Sequence, residues 1–137
     1  MPQKTFPGNY KSLASISEFI IFHAEAAGFP ASDVYAIQTA VDEASANIID
    51  HAYGGEDIGS ILIQVFDQKD KIVIKLTDTG LTFDPEEVPL PDITSPLEIR
   101  KERGLGIFFM QKLMDEVDFN FSKSYGNTLT LVKYKEE

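Results

Sequence analysis

Twice between Ser60 and Asp78 the chain alternates apolar and polar residues, with only Asp67-Gln68-Lys69-Asp70 between the two runs. Ile61, Ile63 and Val65 share one side of the first run, Ser60 to Phe66. Ile72, Ile74 and Leu76 share one side of the second, Lys71 to Asp78. A period of two puts alternate side chains on opposite faces of a pleated strand, so each run has one face to bury. A polar link this short permits only an antiparallel hairpin, because a parallel return needs about a dozen residues or more. The rest of the chain must supply a layer that covers one face of it.

Two helices precede the hairpin. Leu13, Ile16, Phe19, Ile20 and Ala24 recur at three- and four-residue spacing and predict a helix from about Ser12 to Ala27, stopped at Gly28. Ser15 and Glu18 fit a capping box, which would start it a few residues later. A second helix follows Pro30, with Ser32 or Asp33 as its cap, and runs to about His51. Ile37, Val41, Ala44 and Ile48 form its apolar stripe, and the neighbouring stripe changes from small to polar along Ala36, Ala40, Glu43 and Asn47. Gly54-Gly55 ends it.

After the hairpin, Pro85, Pro89, Pro91 and Pro96 place four of the seven prolines within about a dozen residues. No helix or central strand tolerates that density, so the segment reads as a loop, and a loop this long is often a functional lid. A third helix is predicted from near Gly104 through Leu105, Phe108, Phe109 and Leu113. Two more strands, about Val117–Ser122 and Thr128–Tyr134, flank a turn containing Ser124 and Gly126-Asn127. The expected class is α+β: a two-layer sandwich with helices on one face of a largely antiparallel, mixed sheet. At 137 residues the chain is expected to form one domain, 1–137.

Composition narrows the function. Twenty-two Asp and Glu against 12 Lys and Arg give a formal charge of −10, which argues against general attraction to nucleic-acid phosphates. No cysteine is present, so disulfides, Cys-ligated zinc and thiol nucleophiles are excluded. Apolar stretches such as Phe19 to Phe22 are far short of the roughly 20 residues that span a bilayer, and Met1-Pro2-Gln3-Lys4 opens no apolar signal core. A cytoplasmic protein without membrane contact is the expectation.

Three segments carry possible chemistry. Glu43 and Asn47, four apart on a helix, project from nearly the same face about 6 Å apart in rise. A carboxylate there can take a proton from a nucleophile and a carboxamide can give a metal an oxygen, although a solvated helix face would read the same way. Asp78-Thr79-Gly80 ends a buried strand, where an aspartate can accept from an exocyclic amine and a glycine admits close backbone approach; an ordinary turn has the same composition. Arg103-Gly104-Leu105-Gly106 opens the third helix beside Arg100 and Lys101, and helix-terminal amides with local cations suit phosphate, as does a plain charged loop. It is neither a Walker A loop nor a dinucleotide fingerprint.

Taken in order, these segments resemble the motifs of the GHKL ATPases (gyrase, Hsp90, histidine kinase, MutL). Ala40 to Tyr53 looks like their N box, Asp78-x-Gly80 like the first glycine box and Arg103-Gly104-Leu105-Gly106 like the second. Within that superfamily the chain is most similar to the bacterial anti-sigma-factor serine kinases of partner-switching systems. The Asn-x-x-x-His-Ala-Tyr run, Phe83-Asp84-Pro85 and Leu113-Met114-Asp115-Glu116-Val117 suit that branch, and the resemblance spans about Lys4 to Tyr134.

The resemblance implies the ATP-binding sandwich of that superfamily, with ATP and Mg²⁺ as cofactors. It makes Glu43 the general base and Asn47 the Mg²⁺ ligand. Asp78 becomes the reader of the adenine amino group, assisted by the Thr128 hydroxyl. Gly80, Gly104 and Gly106 let backbone approach the nucleotide, residues of about 85–103 form the lid, and Arg103 contacts phosphate in competition with Arg100 and Lys101. Leu105 belongs to the same nucleotide-binding loop. His51, on the Ala44/Ile48 stripe, and His23 read as packed core histidines, and Met110 and Met114 as core.

The implied activity is phosphorylation of a serine or threonine on a STAS-type anti-anti-sigma partner, together with sequestration of a sigma factor or similar client by a possible homodimer. An alternative is a nucleotide-sensing binding module that transfers no phosphate. A detached histidine-kinase ATPase domain ranks last, because the chain has no room for a dimerisation hairpin with an acceptor histidine.

Overall fold

A computed structural model of the chain describes residues 2–80, 103–122 and 126–136, and of 103–107 and 122 the backbone alone. The element order is β1 (Gln3–Pro7), α1 (Ser12–Ala26), α2 (Ala31–Asn47), a π-helical turn (Ile48–Ala52), β2 (Ser60–Asp67), β3 (Lys71–Asp78), α3 (Arg103–Leu113), β4 (Glu116–Ser122) and β5 (Gly126–Tyr134). The five strands form one sheet in the order β1-β2-β3-β5-β4. Each neighbouring pair is antiparallel, so among the described residues the sheet is not mixed, as the sequence reading expected, but antiparallel throughout.

The hairpin forms as its alternation dictates. Ile61, Ile63, Val65, Ile72, Ile74 and Leu76 are all at most 1% exposed, and they meet Ile16, Ile20, Ile37, Val41 and Ile49 from the helices. Each such burial is worth about 1.5–3 kcal/mol, which holds helices and sheet together as two layers. α3 adds Met110 to this core, and Met114, just past the helix, joins it, as expected. At its C-terminal end the Lys133 ammonium donates to the Leu113 carbonyl at 2.9 Å, where an unsatisfied carbonyl and the helix dipole both favour a cation.

Four local features depart from the sequence reading. β1 is an additional strand, pinned on β2 through Phe6 opposite Ile61, with Phe6 2% exposed. α2 is not capped by Ser32 or Asp33. The extended Pro30 occupies the cap position, and its carbonyl accepts from the amides of Asp33 and Val34 at 3.0 Å each. Gly126 and Asn127 lie inside β5 rather than in a turn, opposite Ser122 and Phe121.

The fourth departure is at the end of α2, where the chain continues from Ile48 to Ala52 as a π turn, with the Tyr53 amide on the Ile48 carbonyl at 2.9 Å. Five-residue hydrogen-bond spacing rotates the following side chains off the regular helical stripe. Ile49 and Ala52 therefore take the buried places, and His51 is only half-buried. His23 is likewise half-buried, with its ring edge-on to Phe19 and Phe22. Among the described residues no helix is long and apolar enough to cross a membrane.

Candidate functional site

The C-terminal part of α2 and its π turn face the end of β3 across a cleft that is open to solvent on one side. Ala44, Asn47, Ile48 and Ala52 form one wall. Asp78 and the start of β5, Asn127 to Leu129, form the other, and Met110, Phe119 and Phe121 close the sides. The helical spacing that puts Asn47 one turn beyond Glu43 brings Asn47 into this wall. Glu43 itself, partly exposed, stands one turn away and is not part of the lining.

Asp78 is the charged group of the cleft, 6% exposed at the end of β3. Burial pushes its carboxyl above the ordinary aspartate range, and hydrogen bonds to its charged form pull it back. Both of those bonds fall on Oδ1: the Asn127 carboxamide donates at 2.9 Å and the Gly80 amide at 2.8 Å. The Gly80 bond is an Asx turn, which gives the Asp-x-Gly spacing a local cause. Gly80 also rests on the end of the π turn so closely that a Cβ there would overlap the Ala52 carbonyl. The glycine thus locks the strand end to the helix end that carries Asn47.

Asn127 is the residue that sequence reasoning missed. It lies directly across from Asp78 in the β3–β5 register, and cross-strand partners share a face. Thr128, one residue on, faces the opposite side of the sheet. Its hydroxyl lies 3.3 Å from that of Thr77, Thr128 contributes to the cleft wall, and the side chain hydrogen-bonded to Asp78 is Asn127. Tyr53 is a second omission. Its hydroxyl donates to the Ser60 carbonyl at 2.6 Å and accepts from the Thr79 amide at 3.1 Å, tying the π turn to the near ends of β2 and β3.

α3 begins at Arg103, so Gly104, Leu105 and Gly106 occupy its first turn, where backbone amides have no acceptor within the helix. The side chains of Arg103 and Leu105 lie outside those described, as do Arg100, Lys101 and the expected lid up to residue 102.

An apolar cleft with one buried carboxylate suits a flat heteroaromatic base bearing an exocyclic amine. The Asn47 carboxamide oxygen suits Mg²⁺, a hard cation that takes few protein oxygens when phosphates and water complete its shell. No group of three or more His, Asp or Glu able to cage a metal occurs among the described residues.

Residues 6–133 match the histidine kinase-like ATPase domain. The chain is 31% identical over 118 residues to the serine-protein kinase RsbW of Listeria monocytogenes serotype 4a (strain HCC23), covering 83% of this chain and 74% of that one. It is 34% identical over 115 residues to the serine-protein kinase RsbW of Bacillus cereus (strain AH187), covering 81% and 70%. A solved structure of the RsbU and RsbW domains of Rv1364c from Mycobacterium tuberculosis superposes on all of this chain with a TM-score of 0.65 at 14% identity, which speaks to the fold. The chain spans 34% of that longer protein. The chain belongs to the histidine kinase-like ATPase family, on its branch of RsbW-type serine-protein kinases.

Proposed function

We propose that this single domain binds ATP in the cleft, phosphorylates a serine or threonine of a STAS-type anti-anti-sigma protein, and sequesters a sigma factor or similar client as a homodimer. The observation that carries the reading is Asp78: a buried carboxylate anchored through one oxygen, in an apolar cleft that also holds Asn47.

In this reading Asp78 accepts the adenine amine, and the apolar walls take the faces of the base. Asn47 holds Mg²⁺, which would neutralise phosphate charge. Gly104 and Gly106 offer backbone amides to the phosphates, and Arg103 adds a cation. Glu43 takes the proton from the attacking hydroxyl. Phosphoryl transfer asks a protein mainly for positioning and charge stabilisation, and this set supplies both with one base. Incubation of the chain with radiolabelled ATP and candidate STAS proteins tests it, with Glu43→Gln as control. Label on the partner, lost in the control, is the expected result.

One observation favours a second reading. Glu43 lies outside the cleft lining, and a base displaced by about 1 Å can cost a hundredfold in rate. A nucleotide-sensing module would bind ATP and its partner tightly and leave the partner unlabelled.

A further inference from the structure

The Asn127 side chain is 6% exposed, and both described acceptors of its Nδ2 belong to the segment that ends β3. It donates to Asp78 Oδ1 at 2.9 Å and to the Gly80 carbonyl at 3.1 Å. A carboxylate and a carbonyl are both acceptors, so only the amine end of the carboxamide can face them, and its two hydrogens serve one each. A hydroxyl has a single hydrogen and could not hold both. The backbone is built around the same pair of residues. Gly126 has φ +90°, and a Cβ there would overlap the Asp78 carbonyl, so β5 approaches β3 at this point more closely than another residue would allow.

The geometry points to Asn127 as the positioning residue of the base-reading site: it holds the Asp78 carboxylate in one orientation, so that the cleft selects a purine with a 6-amino group. This rests on the reading of the cleft as an ATP site. With Oδ1 held by Asn127 and the Gly80 amide, Oδ2 is the oxygen offered to a ligand amine. The surroundings leave Asn127 as the main side-chain control on that charge. α2 presents Asn47 to the cleft, α3 Met110, and β4 Phe119 and Phe121, so among the described lining residues Asp78 alone titrates. Burial favours its neutral form and the Asn127 bond favours its charged form.

The test is calorimetric titration of the full chain and of N127L with ATP and with purine riboside triphosphate, which lacks the amine. Loss of a hydrogen bond to a charged group predicts about a tenfold or greater loss of ATP affinity in N127L, with the affinity for the amine-free nucleotide within about twofold of wild type. The ATP affinity of N127L also falls at a higher pH than that of wild type, as Asp78 takes up its proton earlier. N127A, which opens space instead of filling it, gives the same readings should N127L not fold. Equal losses for both nucleotides, or undiminished ATP affinity, overturn the inference while the ATP site stands. Failure of the unmodified chain to bind ATP overturns the reading of the cleft itself.

Discussion

Gly80 sits on the carbonyl of Ala52, joining the end of β3 to the end of the helix that carries Asn47. Asn47 and Asp78 owe their relative position to this contact. Gly80→Ala must push strand and helix apart, an overpacking that costs about 1–3 kcal/mol. Chemical denaturation is expected to show that loss, and nucleotide titration a weaker ATP affinity in the same variant.

Asp78 is held at a cost to the fold. Its carboxyl is raised by burial, so the native state binds that proton more tightly than the unfolded chain does. The sign follows: the contribution is fully present below the ordinary aspartate pKa and is lost as pH rises through the raised folded value. Above that value the nucleotide-free protein carries an ionised, partly desolvated carboxylate. Asp78→Asn is expected to raise the melting temperature at pH 7, by less at pH 4, and to abolish ATP binding. Melting curves at the two pH values, run beside a titration with ATP, check both halves.

Glu43→Gln keeps the shape of α2 and leaves the cleft lining untouched. ATP affinity is expected within about twofold of wild type, while label transfer to the partner drops by about 10²–10⁴, the usual contribution of a general base. Chelation of divalent cations by EDTA is expected to stop transfer in the unmodified chain as well.

Tyr53→Phe removes the hydroxyl that joins Ser60 and Thr79. Both partners are near solvent, so water replaces part of what is lost, and the expected destabilisation is about 0.5–1.5 kcal/mol. Amide hydrogen exchange should speed up at Thr79 and leave the β3 centre around Ile74 protected.

The sheet and the α2 stripe were legible because burial writes itself as periodicity. Ile61, Ile63, Ile72 and Ile74 can satisfy their alternation in only one way, and Ile37, Val41 and Ala44 in only one other. β1 escaped notice because a single apolar anchor, Phe6, carries no period. The π turn changes the register after Asn47 with no residue type that announces it, which is why His51 was placed on a stripe it does not occupy. Gly126-Asn127 reads in sequence as a turn pair. A usable signal existed, since Asn127, Leu129 and Leu131 alternate and the two leucines are core, so Asn127 had to share their face. The expected lid and the Arg103 contact fall on parts of the chain outside those described.

The most direct test of the shared cleft is a crystal structure of the chain with Mg²⁺ and a non-hydrolysable ATP analogue. The account predicts the adenine amine about 3 Å from Asp78 and the metal on the Asn47 carboxamide oxygen. A nucleotide bound with its base away from Asp78, or with Asn47 touching neither metal nor phosphate, would contradict it.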